Sequence, residues 1–229
     1  MHKNAQCILC ILSIEKLQII DIINLKYLKY GDIAMKYIII VLAAYLIGSF
    51  CASIPLSVRI WGVDVREKGS GNAGATNMAR VYGMKAGLAT FALDAVKTIA
   101  AMLLGMYLGG EIGKAMAGAA CIVGHCYPVY FSFRGGKGVS VGAALGLMTG
   151  ISVFAIIMAV FFVVSLSTRK VSLGSMCAAV SLPIAAFVLN VSVPMLIMCI
   201  FAAALVVFMH RSNIRRLLSG TEGDFHAKK

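Results

Sequence analysis

Four short stretches of this 229-residue chain hold most of the side chains able to do chemistry, and together they suggest the handling of phosphate. The first reads Gly69-Ser70-Gly71-Asn72-Ala73-Gly74-Ala75-Thr76-Asn77, followed by Arg80. Its glycines let the backbone approach a ligand, its N–H groups can line an anion nest, and Ser70, Asn72, Thr76 and Asn77 add short polar arms. The plain alternative is a flexible turn between helices, which leaves four hydrogen-bonding side chains and an arginine unexplained. The string also contains G-x-G-x-x-G, but the dinucleotide fingerprint needs a preceding strand and a βαβ unit, and this chain offers neither.

The second stretch, Gly124-His125-Cys126-Tyr127-Pro128, leads into Arg134-Gly135-Gly136-Lys137-Gly138. The Gly-Gly-Lys-Gly run lacks P-loop spacing, which disfavours an ATPase. A glycine-rich turn opening a short helix is still suited to phosphate: N–H groups and the helix dipole face the anion, and Lys137 adds a full charge. An anchoring role for the cations would explain Arg134 and Lys137 but not the three glycines. Gly138-Val139-Ser140-Val141-Gly142 matches the G-x-S-x-G elbow, which requires a strand-to-helix turn on a sheet and is rejected in an apolar helix.

The third stretch is Arg169-Lys170-Val171-Ser172-Leu173-Gly174-Ser175, where Ser172 and Ser175 share one helix face. A helix cap plus a small packing residue explains the two serines equally well. The fourth runs from His210-Arg211-Ser212-Asn213 through Arg215 and Arg216 to Glu222. His210 and Asn213 again share a face, while the arginines with Ile214, Leu217 and Leu218 also suit contact with lipid heads. Tyr130 and Arg215 stand where a His-x4-Asp dyad would place aspartate after His125 and His210, so that acyltransferase signature is absent.

These stretches have to be positioned by membrane helices. Sixty per cent of the residues are apolar and 13% charged, which excludes a water-soluble enzyme, a disordered chain and a disulfide scaffold. The net charge of +12 can serve membrane orientation, anionic lipid heads or an anionic substrate. Apolar runs predict crossings at 36–60, 84–108, 112–131, 171–189 and 191–209. Residues 138–167 are too long for one and read as two short crossings turning near Thr149-Gly150, which makes an all-α polytopic protein with seven transmembrane helices. Arg59, Arg66, Lys68, Arg80, Lys85, Arg134, Lys137, Arg169, Lys170 and the basic tail fall on one side, and the alternate connections hold only Lys114. That asymmetry places the N-terminus outside, the C-terminus in the cytoplasm and the candidate active site at the cytoplasmic face.

Residues 1–34 carry Lys3, Lys16, Lys26 and Lys29 on the side otherwise poor in cations and have no signal-peptide cleavage pattern. They are expected to be an N-terminal extension with Met35 as the true start, ahead of one domain over 35–222 and a tail over 223–229. Five of the seven cysteines, Cys51, Cys121, Cys126, Cys177 and Cys199, lie in or beside apolar runs and read as small hydrophobes. Cys7 and Cys10 have redox spacing without the fold it needs. Asp94 and Lys97, one turn apart inside a span, read as a mutual pair supporting the site. No metal, cofactor or nucleic acid is expected.

With the four stretches in this order and spacing, the chain resembles the bacterial acyl-phosphate:glycerol-3-phosphate acyltransferase family from Met35 to about Glu222. The resemblance rests on GSGNAGATN, GHCYPVYFSFRGGKG, VSLGS and HRSNIRRLLSGTE. The family often has proline where Ala73 stands and lysine where Arg134 stands, and neither difference removes a group relied on here. The resemblance implies acyl transfer from acyl phosphate to the sn-1 hydroxyl of glycerol 3-phosphate, giving lysophosphatidic acid in the bacterial inner membrane. Membrane lipid is the other partner, and the soluble enzyme that makes acyl phosphate is a further candidate.

By match to the family's motifs, Ser70, Arg80, His210 and Asn213 hold glycerol 3-phosphate, Lys137 bridges to the acyl phosphate and Ser175 positions the reacting carbonyl. Thr76 and Asn77 join the binding residues, and Gly71, Asn72, Gly135, Gly136 and Gly138 form phosphate-facing backbone. His210 or a substrate phosphate takes the proton. The alternative is a transporter for phosphate or a phosphometabolite, which predicts an inverted repeat and polar groups on both sides of the midplane. The sequence has no such repeat.

Overall fold

The computed structural model describes residues 32–228, which form helices and short turns with no strand among them. The expectation for residues 1–34 therefore falls almost wholly outside the described residues. The chain divides into two compact units after Ile39, and the first is described only over 32–39.

Helix α1 is described over 32–49 and continues, after a break at 50–52, into α2 (Ser53–Trp61). At the break the Ile54 N–H bonds to the Cys51 carbonyl instead of reaching back to Phe50. A loop containing a 3-10 turn (Val65–Glu67) leads to α3 (Ala75–Tyr82) and then α4 (Met84–Cys126).

Helix α4 is a hairpin. Gly110 turns it with φ 62° and ψ −151°, a backbone shape that only glycine takes readily. The arms 84–109 and 111–126 fold back on each other, with Gly105 packed on the Gly113 backbone and Thr98 meeting Cys121 at 3.8 Å. Next come a loop over 127–138 with a 3-10 turn (Val129–Phe131), α5 (Val139–Thr149), α6 (Ile151–Thr168), α7 (Val171–Val188), α8 (Val193–Met209) and α9 (Arg211–Leu218).

Four helical stretches are long and apolar enough to cross a membrane: Asp32–Trp61, Met84–Phe131, Ile151–Thr168 and Val171–Val188. A fifth is added if α8 and α9, bent by 57° at their junction, form one span. The α4 hairpin holds two of the crossings expected from the sequence. Helix α5 coincides with the first of the two short segments expected over 138–167: its 11 residues rise about 16 Å, roughly half of a bilayer's hydrocarbon core. The turn expected near Thr149-Gly150 is present, and α6 returns from it with Ile157 packed against Gly146.

The core lies where α4, α5, α7 and α8 meet around Met102, Ile122, Leu145, Met195, Met198 and Val206. Val163, Leu166 and Phe187 project outward from α6 and α7, as faces turned to lipid require. In lipid, close packing rather than water exclusion holds such helices together. Accordingly Gly48 rests on the backbone of Cys121 and Gly124 on that of Tyr45.

The hairpin also buries charge. Lys97 pairs with Asp94 at 2.8 Å, as the sequence spacing predicts, and His125 from the second arm joins them. Beside this ion pair, the Lys97 ammonium makes two hydrogen bonds, donating to the Phe50 carbonyl at 2.6 Å and to His125 Nδ1 at 3.1 Å. Removing one partner of such a buried pair typically costs about 3–5 kcal/mol, because the other charge is left uncompensated.

Candidate active site

The first glycine-rich loop is held from inside by Asn77, which is 1% exposed. Its Oδ1 accepts from the Ser70 N–H at 2.8 Å, and its Nδ2 donates to the carbonyls of Val65, Lys68 and Asn72, each at 3.0 Å. Asn77 therefore shapes the loop, and its side chain has no free group to offer a ligand. Ser57 adds a stitch by accepting from the Val65 N–H at 3.0 Å. What the loop presents outward is Ser70 and Gly71, both exposed, with Asn72 and Thr76 half-buried behind them.

The second loop is seated differently. The N–H groups of Gly135 and Gly136 donate to the carbonyls of Cys126 (3.2 Å) and His125 (3.0 Å) at the end of α4. These two amides, expected to face phosphate, point instead into the protein. Side chains at either position would collide with His125: its carbonyl at Gly135 and its ring Nε2 at Gly136. The groups left to meet an anion are Lys137 and the first turn of α5, whose N–H groups have no partner within the helix.

Arg66 clasps the two loops. Its guanidinium donates to the carbonyls of Phe131 (2.9 Å) and Arg134 (3.0 Å) while pairing with Asp64 at 2.7 Å. Sequence reading took Arg66 as an orienting charge only.

Around this frame a polar pocket is bordered by Ser70, Arg80, Arg216, Glu222 and Asp224. Lys137 reaches its edge through a hydrogen bond from Nζ to Asn213 Oδ1 at 2.5 Å, and Asn213 Nδ2 donates to Glu222 Oε1 at 2.7 Å. Glu222 also accepts from Ser172 and, at 2.6 Å, from Arg216 Nε. Burial raises the Glu222 carboxyl, and these three donors overcome that effect and hold it below the ordinary range. Glu222, Arg216 and Ser172 were left out of the expected site, and the signal for Glu222 was its place at the end of the fourth motif.

Among the described residues, neither Arg80 nor Lys137 has a carboxylate within ion-pair distance. Burial pushes the Lys137 ammonium down to about 8, with the guanidiniums of Arg216, Arg80 and Arg211 adding repulsion that Glu222 only partly offsets. Two cations without an ion-pair partner, one of them with its ammonium pushed down toward neutrality, suit an anionic ligand.

A second, apolar groove is bordered by Gly138, Gly142, Ser175, Leu182, Ala202 and Val206 among others. Ser175 sits on its wall, donating to the Val171 carbonyl at 2.8 Å. The Val206 carbonyl lies 2.7 Å from His210 Nδ1, so Nδ1 carries the hydrogen and Nε2 is left with a lone pair. Of the expected site residues, Ser70 and Arg80 border the pocket and Gly138 and Ser175 the groove, while Lys137 and Asn213 are tied to the pocket through Glu222 and His210 to the groove through Val206. Gly71, Asn72 and Thr76 border neither.

Comparison with known proteins shows the family. The profile of the glycerol-3-phosphate acyltransferase family matches residues 38–220. A glycerol-3-phosphate acyltransferase of Syntrophotalea carbinolica is 40% identical over 84% of this chain and 99% of its own length. That of Thermoanaerobacter pseudethanolicus is 39% identical over 85% and 98%. Crystal structures of PlsY (YgiH), an integral membrane glycerol 3-phosphate acyltransferase, superpose in the glycerol 3-phosphate form with TM-score 0.78 and 37% identity, covering 83% of this chain and 96% of that one. The lysophosphatidic acid form superposes at 0.77 with 36% identity, covering 83% and 95%. With an all-helical membrane fold, matched motifs and full-length relatives, this chain belongs to the glycerol-3-phosphate acyltransferase family.

Proposed function

We propose that the protein transfers a fatty acyl group from acyl phosphate to the sn-1 hydroxyl of glycerol 3-phosphate, forming lysophosphatidic acid and phosphate. The observation that carries this reading is a polar pocket bordered by Arg80 and Glu222, linked through Asn213 to Lys137, whose sequence neighbour Gly138 lines an apolar groove. One compartment suits two phosphates and the other a hydrocarbon chain. The relatives' shared name and the two ligand forms of PlsY support the same substrate and product.

In the proposed reaction the glycerol hydroxyl oxygen attacks the carbonyl carbon of the acyl phosphate. A carbon–oxygen ester bond forms, the bond from carbonyl carbon to phosphate oxygen breaks, and phosphate departs with the bonding pair. A mixed anhydride has a good leaving group, so no protein nucleophile is required. Ser70 and Arg80 hold the glycerol 3-phosphate head, and Lys137 stands between the two phosphates and steadies the charge that builds on the leaving one. Ser175 reaches the carbonyl by turning its hydroxyl away from Val171.

The hydroxyl proton passes to His210 Nε2 or to a substrate phosphate oxygen. His210→Gln separates the two: near-normal turnover with a raised requirement for glycerol 3-phosphate assigns His210 to binding, and lost turnover assigns it to the proton.

The proposed setting is a bacterial inner membrane crossed seven times, with the N-terminus outside and the pocket at the cytoplasmic face, where the motifs' cations collect. Acyl phosphate arrives there from the soluble enzyme that makes it. The deciding assay supplies purified protein with palmitoyl phosphate and glycerol 3-phosphate, without CoA or ATP. Lysophosphatidic acid is the expected product, and its absence overturns the reading.

A further inference from the structure

The buried cluster of Asp94, Lys97 and His125 has no part in the chemistry just described, yet it ends at the second loop. Lys97 donates to the Phe50 carbonyl at 2.6 Å and to His125 Nδ1 at 3.1 Å, and its ammonium is paired with Asp94 Oδ1 at 2.8 Å. Nδ1 lies 3.6 Å from Asp94 Oδ1, too far for a hydrogen bond of its own, so it serves as the acceptor for Lys97. The imidazole hydrogen is then on Nε2, the edge that faces Gly136. The His125 carbonyl receives the Gly136 N–H at 3.0 Å, so ring and backbone of one residue hold the same turn. The Ala73 carbonyl reaches this point too, 3.1 Å from where a Cβ on Gly136 would stand. Both glycine-rich loops therefore touch down beside one imidazole that is 2% exposed.

We propose that His125, oriented by Lys97 and Asp94, is a positioning residue for acyl transfer: its ring seats the Gly135-Gly136 turn and so sets where Lys137 and its partner Asn213 stand. The ring touches neither substrate and acts through the turn alone. This inference rests on the proposed reaction, and wild-type protein in the palmitoyl phosphate assay is the arm that tests that reaction separately.

The discriminating variants are His125→Asn and His125→Gln. Asparagine puts an acceptor where Nδ1 stands and satisfies Lys97 but does not reach Gly136. Glutamine puts an N–H donor near the Nε2 position. Positioning through the turn predicts that H125N raises KM for glycerol 3-phosphate at least tenfold, because Asn213 moves with Lys137, while H125Q stays within threefold of wild type. A role confined to neutralising buried charge predicts the reverse order, or a smaller active fraction with unchanged KM in both, and either result overturns the proposal. Should neither variant fold, Gly136→Ala, which removes no polar group, is measured alone: a tenfold rise in KM supports the proposal and an unchanged KM overturns it. If wild-type protein makes no lysophosphatidic acid, the proposed reaction fails instead.

Discussion

The two glycine-rich loops look alike in sequence and are held in different ways. The loop ahead of α3 is stitched from within, by one buried asparagine that bonds to four of the loop's backbone groups. The loop ahead of α5 has no such internal stitch; its glycines lie against His125 and are supported by charges inside the α4 hairpin. The first loop is held by residues close to it in sequence, Asn77 and Ser57, whereas a borrowed seat can be damaged from farther along the chain, at Asp94 or Lys97. Glycine in both loops is there for close approach, but what approaches is the protein's own Asn77 and His125.

The strongest way to break this contrast is Lys137→Ala. It removes the charge the second loop delivers while leaving the seat intact, so transfer should fall by about a hundred- to a thousandfold, as for loss of a main transition-state donor. Protein yield and melting temperature should stay near wild type; a retained rate would remove Lys137 from the reaction.

Asn77→Ala attacks the first loop at its organiser. Buried carbonyls and an N–H lose their partner at about 1–3 kcal/mol per unsatisfied group, so both the melting temperature and the affinity for glycerol 3-phosphate should drop. Differential scanning fluorimetry beside steady-state kinetics reads the two effects, and a rate loss with no thermal shift would contradict the stitching role.

A pH profile acts on the second loop without any substitution. Lys137 is cationic below about 8 and neutral above it, so kcat/KM should fall as pH rises through about 8. A flat profile to pH 10 would show that the charge is not needed.

The smallest effect is expected from Gly142→Leu in neither loop. A Cβ at Gly142 meets nothing within 4 Å on the groove wall, so a larger side chain enters the groove itself. The KM for palmitoyl phosphate should rise about three- to tenfold, within the range set by one hydrophobic contact, with little change for a short-chain donor. Equal effects on both donors would separate the groove from the acyl chain.

Much of the site could be read from the sequence because each motif is local. Ser70 with Arg80, and His210 with Asn213, are fixed relative to one another by a single turn or helix face. The all-helical membrane architecture was equally legible from the apolar runs. The relations between elements were not. His125 meets Lys97 across 28 positions of a hairpin, and Glu222 meets Ser172 across 50, distances over which helical periodicity carries no information. For the same reason the amides of Gly135 and Gly136 read as open to ligand, since nothing local reveals that the end of α4 lies beneath them. The end of α5 was legible, because Thr149-Gly150 interrupts the apolar run and the helix stops there.

The α4 hairpin has a consequence for how the protein is made. Asp94 and Lys97 emerge from the ribosome well before His125, and Phe50, which Lys97 also contacts, has already passed into the membrane ahead of them. The first arm therefore leaves the ribosome carrying a salt pair whose remaining partner, 28 residues behind, has not yet emerged. Its burial is completed only when the chain folds back at Gly110, which makes the hairpin the smallest piece of this chain suited to insertion as a unit.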